Sequence, residues 1–106
     1  MTAVKDTHVL DTLEFTEDNF LVNPHDWTPE VGEAIAYELG MALTDRHWEA
    51  IFFARNFYAD NGESPTLRQI TKRGGFQTKE MYQLFEGGPA KLVAQIAGLS
   101  KPTGCV

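Results

Sequence analysis

Residues 44–62, with the sequence TDRHWEAIFFARNFYADNG, form the longest stretch of helical periodicity in the chain. Thr44 is a favourable N-cap residue, and Asn61-Gly62 is a pair that commonly ends a helix. Apolar residues between these ends occupy nearly every side of the predicted helix; they are Trp48, Ile51, Phe52, Phe53, Ala54, Phe57 and Tyr58. A helix of this kind needs neighbours on several sides, so we expect it to be the central element of a helical fold.

Four further helices are predicted around this one, which makes the fold mainly α. They run from a cap at Thr28-Pro29 to Gly40, from a cap at Ser64-Pro65 to Arg73, from a cap at Thr78 to Phe85, and from Ala90 to Ala97. The second and third of these are joined by Gly74-Gly75 and resemble a helix-turn-helix pair. Their inward-facing residues are predicted to be Leu67, Ile70, Met81, Leu84 and Phe85. The sequence therefore predicts a compact helical bundle over residues 28–97.

The two ends of the chain differ from this bundle. Near the N-terminus, apolar residues lie on both sides of Glu17-Asp18-Asn19, a pattern that favours a small β-hairpin within residues 1–23. An irregular segment with apolar anchors is the alternative. At the other end, residues 98–106 show no helical pattern, and Gly98, Pro102 and Gly104 favour a flexible C-terminal arm. We expect the whole chain, residues 1–106, to form a single domain.

The charge of the chain is divided unevenly between its halves. Residues 1–63 hold 3 Lys or Arg against 13 Asp or Glu, whereas residues 64–106 hold 6 against 2, within a formal net charge of −6. An acidic protein is a poor general binder of nucleic acid, although the basic half leaves a local contact open. The sequence shows no signal peptide and no run long enough to span a membrane, so we expect a cytoplasmic protein.

Cys105, the sole cysteine and the penultimate residue, is the candidate reactive group. A thiol reacts as its thiolate, and nearby cations favour that form. The candidate cations for thiol tuning or partner docking are Arg68, Lys72, Lys91 and Lys101. The alternative is an unreactive cysteine in a frayed tail. His8, His25 and His47 lack companions at the spacing of a metal site or a catalytic triad, so we expect neither a metal nor another cofactor.

Several motifs carry a resemblance to a known family. The run GPAK at residues 88–91 and the ending IAGLSKPTGCV at 96–106 are the most specific of them. LTDRHW at 43–48, SPTLR at 64–68 and YQLF at 82–85 fit the same pattern, as do Asp26-Trp27 and Tyr58. Together they make the chain similar to the DsrC/TusE family of sulfur-carrier proteins, over essentially its whole length.

The resemblance implies a sulfur relay in which Cys105 holds sulfur as a persulfide. Its implied partners are a sulfur-donor sulfurtransferase complex and an acceptor, either a tRNA 2-thiolase that makes wobble 2-thiouridine or a sulfite reductase. Members that work with dissimilatory sulfite reductase carry a second cysteine, and Ala94 stands at that position here. The chain therefore resembles the single-cysteine branch. A regulatory relative that binds DNA or a protein through the helix-turn-helix-like pair is the alternative function.

Overall fold

The computed structural model describes residues 7–102, and these residues are mainly helical. The five α-helices of this part are α1 (Pro29–Glu38), α2 (Asp45–Asn61), α3 (Leu67–Gly74), α4 (Thr78–Leu84) and α5 (Pro89–Ile96). Two short 3₁₀ helices, Thr7–Leu10 and Pro24–Asp26, precede them. The mainly α prediction is confirmed. Among residues 7–102, no helix has the length and apolarity needed to cross a membrane.

The starts of α1 and α2 follow the predicted capping residues. Thr28 accepts a hydrogen bond from the Val31 amide at 3.2 Å, with Pro29 in the first turn. Thr44 caps α2, and the His47 side chain returns the interaction by accepting from the Thr44 amide at 3.0 Å. Each cap satisfies amide groups that the first helical turn leaves without a partner. Both boundaries are therefore set by local sequence.

The centre of the fold is α5 rather than α2. It packs against each of the other four α-helices. Small residues, Ala90 and Ala94, are buried on α5 and allow these neighbours to approach closely. By contrast, Phe52 of α2 keeps 44% of its surface exposed, so α2 is packed on fewer sides than its composition predicts. Helical periodicity predicted both helices correctly, but it did not predict which of them is more buried.

The predicted N-terminal β-hairpin is wrong. Residues 7–23 contain a 3₁₀ helix and one isolated antiparallel bridge, between Phe15 and Leu21, and no strand is found in the described chain. Phe20 and Leu21 are adjacent in sequence, yet both are buried. Neighbouring residues of a strand point to opposite faces, so a hairpin with one face in water would leave one of them exposed. Packing both against the helices bends the segment instead.

The predicted helix-turn-helix-like pair is present as α3, the turn Gly75–Gln77, and α4. Its N-caps differ from expectation. Thr66, and not Ser64, caps α3 by accepting from the Gln69 amide at 3.2 Å, and the Gln69 side chain accepts from the Thr66 amide. Thr78 is the first residue of α4 rather than its cap. Ile70, Met81 and Phe85 are buried as predicted, and Leu67 and Leu84 are partly buried.

Candidate functional site at the base of the C-terminal arm

Helix α5 ends in a glycine-dependent cap that turns the chain into the arm. Gly98 has φ +70°, its amide donates to the Gln95 carbonyl at 3.3 Å, and the Leu99 amide donates to the Ala94 carbonyl at 2.9 Å. This pair of bonds is the Schellman motif, and the buried Leu99 and Ala94 supply its apolar contact. We call residues 98–102 the arm base. Its first two residues are thus continuous with the core.

Two side chains from distant segments bind the last carbonyl groups of α5. The indole Nε1 of Trp27 donates to the Ile96 carbonyl at 2.7 Å. The guanidinium of Arg55 donates to the Ala97 carbonyl at 2.7 Å and to the Pro24 carbonyl at 3.2 Å. Arg55 also lies over the Trp27 ring, 4.3 Å from its centroid. The end of α5 is therefore held from outside as well as by its own cap.

Partial burial affects the pKa of Arg55. Both hydrogen-bond acceptors of its guanidinium within residues 7–102 are main-chain carbonyl oxygens, which carry only partial negative charge. Desolvation accordingly lowers the pKa of Arg55 from its ordinary value, although an arginine stays protonated at neutral pH. The arm base thus has a permanent positive charge beneath it.

The next residues of the arm base are also held by other segments. The Ser64 hydroxyl donates to the Ser100 carbonyl at 2.6 Å. Lys101 Nζ lies 3.4 Å from an oxygen of the Asp18 carboxylate, and the Gln95 side chain donates to the Asp18 carbonyl at 3.2 Å. Pro102 is buried. The arm base is therefore docked on the bundle through Pro102.

Three residues have surroundings that the sequence did not indicate. Gly98 and Pro102 were expected to give the arm flexibility, but both are buried, and Gly98 serves as a helix cap beneath Trp27. Ser64, expected to cap a helix, instead binds the arm base. Gly104 and Cys105 lie outside the described residues. Their roles as a flexible position and as the reactive thiol stay predictions.

The four candidate cations occupy different parts of the surface. Arg68 and Lys72 are exposed one turn apart on α3, and Lys91 is exposed on α5. Lys101 is exposed in the arm base, where it is paired with Asp18. The acidic partner offsets the charge of Lys101, which reduces the effect that this lysine alone can have on a nearby thiol. Thiol tuning by any of the four stays a prediction.

An acidic groove lies where α1 and α5 meet the N-terminal segment. It has a volume of about 520 Å³, and its lining includes Phe15, Ile35, Asp11, Glu38 and Gln95. The two carboxylate side chains make its rim unfavourable for an anion such as a thiolate. The groove is therefore a poor place for the reactive form of Cys105 to be stabilised.

His47 has a structural role. Its Nδ1 accepts from the Thr44 amide at 3.0 Å, and its Nε2 lies 2.8 Å from the Leu84 carbonyl. Since an amide can only donate and a carbonyl can only accept, these contacts require the tautomer with hydrogen on Nε2. His47 thus joins the start of α2 to the end of α4. Within residues 7–102, no group of three metal-binding side chains converges.

The helix-turn-helix-like pair shows little of the chemistry that reads bases. Glu80 of α4 is held by Arg46 through bonds of 2.8 and 3.0 Å, so Arg46 is engaged with the bundle. Tyr82 and Gln83 are exposed on α4, and Lys79 is its exposed cation. A DNA-reading helix usually presents several Arg, Asn or Gln side chains on one face. The pair is better described as a helical hairpin with a basic rim.

A known protein family matches nearly the whole chain. The family model described as DsrC like protein matches residues 8–106, from the first 3₁₀ helix through the end of the arm. The chain belongs to the DsrC family. The suspected resemblance is therefore confirmed at the level of the family.

Relatives of the DsrC family match both in sequence and in fold. The gamma subunit of dissimilatory-type sulfite reductase from Nitratidesulfovibrio vulgaris is 41% identical over 96 residues, covering 90% of this chain and 91% of the relative. Sulfurtransferase TusE from Pectobacterium atrosepticum is 34% identical over 102 residues, covering 90% and 94%. These names place the family in sulfur metabolism.

Solved DsrC structures show the same architecture. The crystal structure of dissimilatory sulfite reductase I (DsrI) contains a chain that matches with a TM-score of 0.78 and 40% identity, covering 89% of this chain and 91% of that one. The NMR structure of Allochromatium vinosum DsrC matches with a TM-score of 0.77 and 37% identity, covering 89% and 90%. The helical arrangement around α5 therefore belongs to the DsrC fold.

Arg55 is the site residue that sequence reasoning missed. It is the one charged residue between Ile51 and Tyr58, the most apolar part of α2. An arginine in such a run needs a partner for its donors, and that requirement was the available signal. The local sequence does not identify these partners, because Ala97 is 42 residues away from Arg55.

Proposed function

We propose that this protein is a sulfur carrier in which Cys105 accepts sulfur from one protein and delivers it to another. The observation that carries the proposal is the family match, which runs through residue 106 and so includes the sole cysteine. The docked arm base supports it, since Cys105 follows Pro102 by only three residues. A reactive thiol at the end of a short tether suits transfer between two proteins.

The transfer step needs no external oxidant or reductant. The Cys105 thiolate attacks the outer sulfur of a donor persulfide, a new S–S bond forms on Cys105, and the donor sulfur leaves as a thiolate. The product on the carrier is a Cys105 persulfide. In the second step, an acceptor thiolate attacks the outer sulfur and Cys105 leaves as the thiolate. Each step breaks one S–S bond and makes one.

Activation of the thiol is assigned to the basic half of the chain. Arg68, Lys72 and Lys91 are exposed and able to approach a docked partner, whereas Lys101 is paired with Asp18. An exposed cation changes a thiol pKa only modestly, because water and salt screen the interaction. These residues therefore tune the thiol or guide docking, and the partner completes the activation.

Ala94 excludes one way in which a carrier of this family could handle sulfur. A second cysteine at this position would allow an internal disulfide, and alanine does not. We therefore propose single-cysteine relay between a sulfurtransferase donor complex and an acceptor of the tRNA 2-thiolase or sulfite reductase type. A single cysteine that must return to the free thiol after each transfer suits a reducing compartment such as the cytoplasm that we expect.

Intact mass measurement tests the proposal directly. The protein is incubated with a cysteine desulfurase, cysteine and a purified sulfurtransferase donor, and the mass is recorded before and after reduction. We expect the gain of one sulfur atom in the wild type, its removal by reductant, and no gain in Cys105→Ser. Sulfur that persists on Cys105→Ser, or a wild type that gains none from the donors of its own genome, contradicts the proposal.

A further inference from the structure

We infer that Arg55 is a positioning residue for sulfur transfer: with Trp27, it fixes the direction in which the arm leaves α5. This inference rests on the proposed role of Cys105 as the sulfur-accepting atom. It concerns how that atom is presented, since Arg55 itself lies beneath the arm base.

Three carbonyl groups at the end of α5 and in the arm base each receive a hydrogen bond from a different segment. Trp27 binds the Ile96 carbonyl, Arg55 binds the Ala97 carbonyl, and Ser64 binds the Ser100 carbonyl. The carbonyl groups at a helix end usually bond to the next residues or to water. Here, bonds from three directions restrict both the position and the orientation of the arm base.

Arg55 links two of these segments to each other. It bonds the Pro24 carbonyl, just before Trp27, and its guanidinium also lies over the Trp27 ring. Trp27 in turn lies so close to Gly98 that a Cβ placed there would be 2.4 Å from the ring atom Cδ1. Moving Arg55 therefore shifts the ring against which Gly98 rests. The contact passes from α2 through Trp27 to the first residue of the arm base.

Only an arginine fits this position. The two carbonyl oxygens and the ring face must be contacted together, and the planar guanidinium presents several donors at fixed angles while stacking on an aromatic ring. The lysine ammonium is a compact point charge, so it cannot bond both carbonyl groups and stack on the ring at the same time. Among the described residues, the hydrogen-bond acceptors of this partly buried guanidinium are carbonyl oxygens and not carboxylates, an arrangement that costs free energy. A positional role at the arm base would account for an arginine here.

The consequence for Cys105 follows from chain length. Three residues span at most about 10 Å, so the direction set at Pro102 limits the volume that the thiol can reach. A smaller volume raises the fraction of encounters in which the thiol meets a docked donor in a productive orientation. Arg55 should therefore affect reaction with a protein donor and leave reaction with a small molecule unchanged.

The test compares Arg55→Met and Arg55→Lys, which keeps the positive charge, with Arg73→Met. Arg73 is a matched control because it is an exposed arginine whose guanidinium also lies over a ring, 5.7 Å from the centroid of Phe57. Three quantities are measured for each folded variant: the rate of sulfur transfer from the protein donor, the rate of alkylation of Cys105 by iodoacetamide, and the NMR broadening of amide signals by a nitroxide attached to Cys105.

We expect both Arg55 variants to lose on the order of tenfold in transfer rate, because a small misplacement of reacting groups is enough for such a loss. Their alkylation rates should match the wild type. The set of broadened amides should become wider, since the arm points in more directions, and Arg73→Met should resemble the wild type in all three measurements.

Two results would overturn the inference. If alkylation slows together with transfer, Arg55 acts on the thiol itself and not on its position. If transfer and the broadening pattern both stay as in the wild type in a folded Arg55→Met protein, Arg55 only stabilises the bundle. A wild type that accepts no sulfur defeats the proposed function instead, and the nitroxide measurement then still decides whether Arg55 directs the arm.

Discussion

Two helices of this protein end at a glycine in the same left-handed conformation but in different surroundings. Gly62 ends α2 with φ +75°, and Gly98 follows α5 with φ +70°. A Cβ at Gly62 would meet nothing within 4 Å, whereas one at Gly98 would lie 2.4 to 2.9 Å from three atoms of Trp27. The backbone requires glycine at both ends. At Gly98 alone of these two, the packing of Trp27 requires glycine as well.

The largest effect that tests this comparison is expected from Gly98→Ala. The left-handed conformation costs about 1–2 kcal/mol for alanine, and forcing a methyl group against the rigid base of an indole adds about 1–3 kcal/mol. Gly62→Ala should cost only the first of these. Urea unfolding of the two variants measures the difference. Equal losses would show that Trp27 moves aside freely, and the distinction between the two ends would disappear.

A smaller loss is expected from Trp27→Phe, which keeps an aromatic ring but removes the Nε1 donor. The Ile96 carbonyl would lose that bond, at a cost of about 1–3 kcal/mol. Trp48→Phe is the matched control, because Trp48 is the other tryptophan and stacks on Phe52 at 5.7 Å at the partly exposed surface. Thermal unfolding should place Trp27→Phe clearly below Trp48→Phe. The reverse order would mean that the α5 end is not held by the indole.

Ser64→Ala should reduce stability by about 1 kcal/mol, the typical net value of one hydrogen bond. Its local effect should be larger at the arm base, where hydrogen exchange of the Leu99 to Lys101 amides should accelerate. Ser100→Ala is the control, since the acceptor at this contact is the main-chain carbonyl of Ser100, which alanine keeps. If Ser100→Ala accelerates exchange as much as Ser64→Ala, the contact is not what holds the arm base.

The smallest expected effect is the loss of the Arg46–Glu80 ion pair in acid. Hydrogen bonding to Arg46 holds the pKa of Glu80 below its ordinary value, so its contribution is present above about pH 4.5 and is lost as pH falls through the lowered pKa. The pair is partly exposed, and its contribution is small. The free energy of unfolding of both glycine variants should be lower at pH 4 than at pH 7, and by the same amount. A change in the gap between them would place a titrating group at the α5 end.

The comparison also shows how far the sequence predicts this fold. Helix ends set by nearby residues were predicted correctly, as at Thr28, Thr44 and Gly62, because capping depends on groups within one turn. Ser64 was wrongly assigned as a helix cap. Its partner is the carbonyl of Ser100, which is 36 residues away and cannot be identified from the local sequence. The hairpin failed for the same reason, since Phe20 and Leu21 are placed by the helices and not by each other.

The candidate site was predictable in part. The arm, its boundary at Gly98 and the family resemblance follow from residues that are adjacent in sequence. The docking of residues 98–102 on the bundle does not, because it depends on Trp27, Arg55 and Ser64, which belong to three separate segments. An arginine within an apolar helix indicates an unseen partner but not its identity.

The partners of the α5 end carry a consequence for biosynthesis. Trp27, Arg55 and Ser64 are translated before the carbonyl groups that they bind, and the Trp27 bond to Ile96 spans 69 residues. Domains generally fold as units, and contacts between residues far apart in the sequence form slowly. The α5 end can be fixed only after residues 27–100 have all left the ribosome. The direction of the cysteine-bearing arm is thus set after the segments that hold it have been made.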